Sequence, residues 1–562
     1  MNKYLPLLLA ILSFYSFQSR KIQIDKVKLI NGVCIELASK KPYTGVVSEY
    51  YDDGILFQEQ NYIDGILDGV SREHYVDGSL EFERNYKKGK LHGSYKEYYN
   101  NGDIKFELSF SKGELEGISK EYYENKHLKF KQVYSNNKLH GASIEYYENG
   151  QVSIEQHYEN GKRHGLYKEF FDNGKLKLDL NFANDLANGV AKKYYNTGQL
   201  HVLQNYTNDK LDGEYNEYYI NGVIGVKQYY LAGELNGTVE KYHINGQLVL
   251  IQTYAQGKLD GPSKVYTQDG RLTSEQNYRQ DKLDGVSKQY YTNEGLMVEK
   301  SYKQDKLEGL YQVYYRTGEL KNESYYKEDL RNGVMKEYAK TGELIVEKYY
   351  RQDKLDGLLK LYGKDGNLRK EQSYKQGEYN GLYRKYHANN KLKLETSYLN
   401  GKEDGIHKLY YIDGKIEREV IYREGKKNGD FKLYDSNGLV YLQGKYHQDM
   451  LTGILRYYEN KEIILEMEFL NGNLDGLAKG YYANGELKFE ENFKNGRYHG
   501  SVKEYNGNGL LKLEANYVNG NREGKYRVYH SNGQVAFEYS YKNGHYNTPT
   551  KWFNNDGEVV DF

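Results

Sequence analysis

A 24-residue phrase repeated along almost the whole chain is the feature that most constrains its fold. Residues 93–117 read GSYKEYYNNGDIKFELSFSKGELEG, and 21 units of this kind each open on a glycine. Every step between opening glycines is 24 residues except the step from Gly453 to Gly476, which is 23. Because each repeat need only contact its neighbours, the sequence predicts one elongated array rather than several globular domains.

Turn residues and apolar residues recur at fixed positions, counted from the opening glycine as position 1. Positions 9 and 10 are usually Asn-Gly or Asp-Gly, as at Asn101-Gly102, a dipeptide that accepts the positive φ of a tight hairpin turn. Position 12 is aliphatic, position 18 is aromatic, and position 6 is aromatic except at His74. The chain is therefore predicted to be all-β, with about 21 β-hairpins forming a twisted single-layer ribbon or a β-solenoid.

Two strand registers are compatible with this pattern. A two-residue turn pairs position 4 with position 15, which sets Lys96 opposite Glu107. A three-residue turn with a glycine bulge moves the pairing by one and places positions 2, 6, 12, 14 and 18 on one face. We expect the second register, because it gathers Tyr and Leu side chains on a single face that can be buried.

The segments outside the repeats suggest an exported, capped array. Residues 1–19 are predicted to be a signal peptide, since their apolar stretch of about 13 residues is shorter than the roughly 20 that span a bilayer. Residues 20–44 are predicted to form a capping hairpin. Residues 45–547 are predicted to form the tandem hairpin repeats, and residues 548–562 are predicted to form a truncated C-terminal capping repeat. We expect a periplasmic, cell-envelope or extracellular protein.

Composition argues against several function classes. Lys plus Arg and Asp plus Glu number 79 each, so no net field attracts nucleic acid or an anionic membrane. The sole cysteine, Cys34, leaves neither a disulfide framework nor a thiolate metal cluster. Only about 44 residues precede the array and about 14 follow it, too few for a catalytic domain. We expect no enzyme activity, no cofactor and no metal.

The histidines and glutamates that recur at fixed positions are predicted to have structural rather than catalytic or metal-binding roles. Histidines before the opening glycine, such as His92 and His140, are predicted turn residues, because equivalent positions lie about 10 Å apart and cannot share a zinc ion. Glutamate at position 15 recurs in most repeats. It is expected to form solvated cross-strand pairs rather than acid–base machinery.

The tyrosines supply the candidate binding face. Most rings are expected to wall a thin core, but one layer of hairpins cannot cover both of its faces. Some rings should therefore line an open surface that can hold a peptide or a sugar ring. The candidate residues are the position-6 tyrosines Tyr98, Tyr122, Tyr146, Tyr194, Tyr218, Tyr242, Tyr290 and Tyr314.

One irregular repeat could carry separate information. Between Gly453 and Gly476 the chain is one residue short and lacks the turn glycine; Tyr458, Asn460 and Ile463 lie at the change. The shortening is either drift in a loop or a kink or register change that divides an 18-unit part from a shorter C-terminal part.

Residues 93–117, together with KPYTGVV at residues 41–47, resemble the MORN-repeat variant of bacterial proteins labelled YwqK-family antitoxins. Their units run roughly G-x-Y-K-E-Y-Y-x-N-G-x-L-x-x-E-x-x-Y-x-x-G-K-L-x-G, and the likeness covers about nine tenths of the chain. The resemblance implies protein–protein contact, self-association or phospholipid association. The antitoxin label implies a toxin as partner.

The sequence leads to one function hypothesis and two alternatives. We expect a non-enzymatic, exported scaffold or adhesin-like surface that binds unidentified protein partners, without nucleic acid or membrane lipid. The first alternative is a glycan- or envelope-binding module, and the second is an antitoxin-like partner of a toxin. Self-association through exposed terminal strands is a further expectation.

Overall fold

The computed structural model describes residues 26–560, and every regular element in them is a β-strand. The predicted signal peptide at residues 1–19 lies outside this range. In the described part of the chain, no helix is long and apolar enough to span a membrane. The chain divides into two compact units, residues 1–282 and 283–562. In each unit, antiparallel pairing joins strands that follow one another along the chain.

Each repeat contributes a leading strand, which ends near position 6, and a returning strand, which begins near position 12. The leading strands of the first unit are Gly45–Tyr50, Gly69–His74, Lys90–Tyr98, Gly117–Tyr122, Lys138–Tyr146, Lys162–Phe170, Gly189–Tyr194, Lys210–Tyr218, Gly237–Tyr242 and Lys258–Tyr266. Those of the second unit are Gly285–Tyr290, Lys306–Tyr314, Leu330–Tyr338, Gly357–Tyr362, Glu378–Tyr386, Gly405–Tyr410, Lys426–Tyr434, Met450–Glu459, Asn473–Tyr481, Arg497–Tyr505 and Gly524–Tyr529.

The returning strands are more uniform in length than the leading strands. In the first unit they are Leu56–Ile63, Leu80–Lys87, Ile104–Ser111, Leu128–Ser135, Val152–Glu159, Leu176–Ala183, Leu200–Thr207, Ile224–Leu231, Leu248–Ala255 and Leu272–Arg279. In the second unit they are Leu296–Lys303, Leu320–Lys327, Leu344–Arg351, Leu368–Lys375, Leu392–Leu399, Ile416–Arg423, Val440–His447, Glu462–Leu470, Leu487–Lys494, Leu511–Val518 and Val535–Lys542.

Short strands complete the pattern. Two-residue strands precede several leading strands or follow the last returning strand, at Ile66–Leu67, Glu114–Leu115, Leu186–Ala187, Glu234–Leu235, Lys282–Leu283, Lys354–Leu355, Lys402–Glu403, Asn521–Arg522 and His545–Tyr546. Near the N-terminus, Val27–Ile30 pairs with Val33–Glu36 around Asn31-Gly32. Near the C-terminus, Lys551–Phe553 pairs with Val559–Val560.

The hairpin turn has the three-residue form with a glycine bulge, which is one of the two turns compatible with the sequence and the one that we expected. In the third repeat, the Tyr99 N–H donates to Asp103 O and the Gly102 N–H donates back to Tyr99 O, both at 2.8 Å. Gly102 has φ +83°, a left-handed value that a glycine adopts without strain. This combination is the three-residue hairpin loop that ends in a glycine bulge.

A second bulge makes the predicted strand register wrong. Glu97 pairs with Phe106 but Tyr98 pairs with Ile104, so Lys105 at position 13 is an extra residue in the returning strand. The extra residue at the turn and the extra residue at position 13 cancel, and Lys96 faces Glu107. Lys168 likewise faces Asp179, and Lys503 faces Glu514.

The corrected register sorts the side chains into two mixed faces, because directly paired residues share a face. Positions 1, 3, 5, 14, 16 and 18 form what we call the core face, and positions 2, 4, 6, 12, 15 and 17 form the open face. The tyrosines of positions 6 and 18 therefore lie on opposite faces. Most buried residues of the array lie at positions 3 and 16 of the core face: Ser71, Ser143, Ala191, Gln204, Val239, Ser263, Ser287, Ser324, Leu359, Gln372, Thr396, Val420, Phe431, Leu455, Ala478, Val502 and Ala515.

Apolar clusters form at two places on the core face. In the second unit, buried Val420, Phe431 and Leu455 pack with Tyr446 and Met467. Gly444 lies between two of them, since a Cβ there would come within 2.8 Å of both Phe431 and Leu455. A larger residue at position 444 would therefore force the Phe431 and Leu455 side chains to shift.

The second apolar cluster lies at the start of the array. Val27 and Cys34 of the N-terminal hairpin bury Tyr62 of the first repeat. Backbone bonds hold that hairpin in place, with the Cys34 N–H donating to Gly65 O and the Tyr43 N–H donating to Cys34 O, both at 2.8 Å. The N-terminal hairpin thus covers the core face of the first repeat at Tyr62.

The irregular repeat is one residue shorter than the others because its hairpin loop has two residues instead of three. Glu459 pairs with Glu462 around a two-residue loop, Asn460 and Lys461, whose φ values are +48° and +78°. Tyr458 pairs with Ile463 as position 6 pairs with position 12 elsewhere, and Arg456 still faces Glu466. The register does not change here, so the shortening is confined to the loop.

Replacing Lys461 with glycine should raise the free energy of unfolding by about 0.5–1 kcal/mol, because a non-glycine residue in the left-handed region is strained. Urea denaturation followed by circular dichroism would measure the change. Lys488→Gly, within the returning strand Leu487–Lys494, is the matched control and should lower stability by a similar amount. Equal losses in both variants would contradict the strain at Lys461.

Candidate functional site

The eight candidate tyrosines all lie on the open face, one per repeat, and all are half-buried. The structure does not bring them together, since consecutive position-6 residues are two strands, or about 10 Å, apart. They form a spaced row in each unit: Tyr98, Tyr122, Tyr146, Tyr194, Tyr218 and Tyr242 in the first, and Tyr290 and Tyr314 in the second. Such a row can contact an extended partner at several points.

Three of the eight hydroxyl groups already donate hydrogen bonds. Tyr122 donates to Glu107 Oε2 at 3.0 Å, Tyr242 to Glu240 Oε2 at 2.5 Å, and Tyr314 to Gln312 Oε1 at 2.9 Å. Burial, and then the bond to Glu240, raises the pKa of Tyr242 to about 12, so this phenol stays neutral. Among the described residues, the hydroxyls of the other five make no hydrogen bond: Tyr98, Tyr146, Tyr194, Tyr218 and Tyr290.

A ladder of opposite charges runs beside these rings. Position 15 lies between the position-4 residues of its own repeat and of the next one. Ion pairs in the first unit include Arg72–Glu83 and Lys120–Glu107, both at 2.9 Å. The hydrogen bond from Lys120 is the main cause that lowers the pKa of the Glu107 carboxyl. The glutamates at these rungs thus lie in cross-strand pairs, each worth a few tenths of a kcal/mol in solvent.

The ladder is repeated in the second unit. Its shortest pairs there use arginine, which holds a carboxylate through a planar fork of donors. Arg527 lies 2.5 Å from Glu538, and Arg456 lies 2.6 Å from Glu466. The open face therefore alternates cation and anion along these rungs.

Part of the first unit departs from this charge pattern. At position 15, aliphatic Leu203 and Ile251 replace the usual glutamate. Large side chains nearby on the same face are well exposed, with Leu166 at 45%, Val190 at 50% and Tyr229 at 46%. At Leu203 and Ile251 the open face is therefore apolar where most repeats carry a glutamate.

A second tyrosine row, at position 7, was missed by the sequence argument. The Tyr99 hydroxyl donates to the Tyr122 carbonyl at 2.7 Å, and the Tyr123 hydroxyl donates to the Tyr146 carbonyl at 2.9 Å. In the second unit, Tyr315 donates to the Tyr338 carbonyl at 2.9 Å. The recurring Tyr-Tyr dipeptide is the sequence feature from which this row could have been predicted. The second tyrosine of each pair links neighbouring repeats through its hydroxyl group.

The histidines before the opening glycine have a turn role. Backbone N–H groups of the next repeat donate to Nδ1 of His92 and of His140 at 3.4 Å, and to Nδ1 of His499 at 3.3 Å. Aspartates at the same position accept the equivalent bond, as Asp68 does from the Lys88 N–H at 3.1 Å. Residues 26–560 contain no cluster of three His, Cys, Asp or Glu arranged to hold a metal ion.

Two solved structures to which the chain is similar share a low sequence identity and a low TM-score with it. The crystal structure of TcdB2-TccC3-Cdc42 is 11% identical over 89% of this chain, with a TM-score of 0.14. The structure of the Photorhabdus luminescens Tc holotoxin pore is 11% identical over 92%, with a TM-score of 0.13. This chain spans 31% and 29% of those chains. At these TM-scores the likeness supports no argument about function, and no curated protein sequence matches the chain.

A family profile described as MORN repeat variant matches twelve 22-residue segments of the chain. They are residues 43–64, 91–112, 115–136, 139–160, 163–184, 187–208, 283–304, 307–328, 355–376, 379–400, 474–495 and 522–543. All twelve start two residues before an opening glycine, so the profile and the 24-residue phrase share one register. Twelve of the 21 hairpin units therefore match the MORN repeat variant, and each of these twelve is folded as a β-hairpin.

Proposed function

We propose that this chain is a non-enzymatic scaffold that binds protein partners through the open face of its hairpin array. The observation that carries the proposal is the repetition itself. A half-buried tyrosine and a cross-strand charge pair recur from repeat to repeat, about 10 Å apart, on a face that the neighbouring strands leave uncovered. Tyrosine is enriched at protein interfaces because its ring buries area while its hydroxyl bonds to polar groups.

The charge balance of this face favours protein over anionic lipid. Lysine and arginine at position 4 alternate with glutamate at position 15, whereas lipid surfaces attract clusters of like-charged basic residues. Export to the periplasm, the envelope or the exterior is part of the proposal and rests on the N-terminal sequence. The resemblance to YwqK-labelled antitoxins adds a narrower candidate, in which the bound protein is a toxin.

A pull-down with the full chain against envelope extract and host-cell lysate would test the proposal. The decisive variant changes Tyr98, Tyr122 and Tyr146 to serine, which removes three consecutive rings from the open face. We expect at least one protein captured by the unchanged chain to be lost, or reduced about tenfold or more, with the β-sheet circular dichroism signal retained. Tyrosine is enriched among interface hot spots, and the loss of one hot-spot side chain costs about 2 kcal/mol or more, which corresponds to a loss of binding of tenfold or more.

The matched control changes the same three residues to phenylalanine. It keeps the rings and removes only the hydroxyls, of which Tyr122 alone donates within the described part of the array. Partner capture should fall less than in the serine variant. Undiminished capture by the serine variant would contradict binding through these tyrosines. Capture of a glycan on an array, in place of any protein, would favour the glycan-binding alternative.

A further inference from the structure

The open face of the third and fourth repeats contains a shallow cavity of about 360 Å³. Ser94 and Ser109, which face each other across the hairpin, form its floor, and the side chains of Lys96, Glu107 and Lys120 border it. Ile118, 50% exposed, forms an apolar wall. The volume is at the lower end of the range for ligand sites, so the cavity suits one side chain or a small molecule.

The cavity exists because of the serine pair. Ser94 occupies position 2 and Ser109 position 17, and the third repeat is the one repeat in the sequence with serine at both. Other repeats place larger residues there, such as Leu310 opposite Tyr325. The sequence therefore opens a gap in this rung that bulkier side chains occupy elsewhere.

Among the described residues, half-buried Lys96 forms no ion pair, although its charge, after the hydrogen bond from Lys120, helps to lower the pKa of the Glu107 carboxyl opposite. Of the two carboxylates that flank it, Glu83 is bonded to Arg72 at 2.9 Å, and Glu107 to Lys120 at 2.9 Å. The Tyr122 hydroxyl also donates to Glu107, at 3.0 Å. The cavity thus combines one neutralised carboxylate with two ammonium groups, a local excess of one positive charge.

We propose that this cavity is a subsite for the carboxylate of an acidic side chain on a protein partner. The carboxylate would bind Lys96 Nζ and accept from the serine hydroxyls, while the methylene groups of the side chain would rest against Ile118. An ammonium group holds a carboxylate by a charge-assisted hydrogen bond, stronger than a neutral one. No aromatic ring lines the cavity, which favours an acidic side chain over a sugar ring. This inference rests on the proposed protein-binding function and specifies one contact of it.

Saturation-transfer NMR on the full chain tests the subsite without any partner protein. The probe is N-acetyl-glutamate amide, with N-acetyl-glutamine amide as its neutral match and N-acetylneuraminic acid as an acidic sugar. We expect a signal from the glutamate probe alone that weakens about tenfold in Lys96→Ala, the loss of one charge-assisted bond. Ser94→Leu, which inserts a residue that position 2 carries in other repeats, should abolish the signal and preserve the fold.

Lys360→Ala is the matched control. Lys360 is another position-4 lysine that forms no ion pair with a described residue, but Leu358 occupies position 2 of its repeat. It should leave the signal unchanged. An equal signal in Lys96→Ala, or from the glutamine probe, would overturn the subsite. A stronger, Lys96-dependent signal from the acidic sugar would overturn the choice of a protein side chain. These results do not depend on the pull-down, so the subsite can fail while the scaffold proposal stands.

Discussion

Replacing Phe431 with alanine should lower the free energy of unfolding of the second unit by about 3–5 kcal/mol. The Phe431 side chain is 5% exposed and packs with buried Val420 and Leu455 on the core face. Removing a buried aromatic ring loses its transfer free energy and leaves a cavity that the sheet backbone cannot fill. Val420, Phe431 and Leu455 form the cluster of mutually packed, buried apolar residues described in the second unit.

Urea denaturation and hydrogen exchange would locate the loss. Exchange should accelerate most in the strands Ile416–Arg423, Lys426–Tyr434 and Met450–Glu459, which carry the cluster. Tyr441→Ala, an aromatic truncation in the same region, is the control. Its side chain is 43% exposed, so the change should cost well under 1 kcal/mol. Similar losses for Phe431 and Tyr441 would contradict a local core.

Changing Tyr99, Tyr123 and Tyr147 together to phenylalanine should cost about 3 kcal/mol, near 1 kcal/mol for each lost hydrogen bond. Each hydroxyl donates to a main-chain carbonyl of the next repeat, at 2.7, 2.9 and 2.8 Å. Phenylalanine keeps the ring in place, so the loss measures the bond between repeats. Hydrogen exchange of the amides in the turns after Tyr98, Tyr122 and Tyr146 would report the effect repeat by repeat.

The matched control for these bonds is the phenylalanine triple at Tyr98, Tyr122 and Tyr146, one residue earlier in each repeat. Of these three hydroxyls, only that of Tyr122 donates, and its acceptor is a partly exposed carboxylate. The control should therefore lose less than half as much stability. An equal loss in both triples would contradict the link between repeats. If the position-6 serine variant fails to capture a protein partner and the position-7 phenylalanine variant still captures it, the position-6 tyrosines bind the partner and the position-7 tyrosines serve the fold.

The candidate site was predictable in part. The position-6 tyrosines could be singled out because they recur, but their face could not be assigned. The bonds of position 7 were not visible in the sequence, since both tyrosines of a Tyr-Tyr pair look alike until the next repeat is placed beside them. The cavity at Ser94 and Ser109 likewise depends on knowing that positions 2 and 17 face each other.

The sequence by itself determined the all-β class, the hairpin unit and the period, because Asn-Gly and the opening glycine act locally through backbone dihedrals. Only the tertiary structure decided the register. The bulge at position 13 falls on residues such as Lys105 and Lys129, which no turn rule marks. The side-chain period of a strand is two, so a single extra residue exchanges the faces of everything beyond it. The pairing of whole strands fixes that choice, and with it which tyrosines lie on the core face and which lie on the open face.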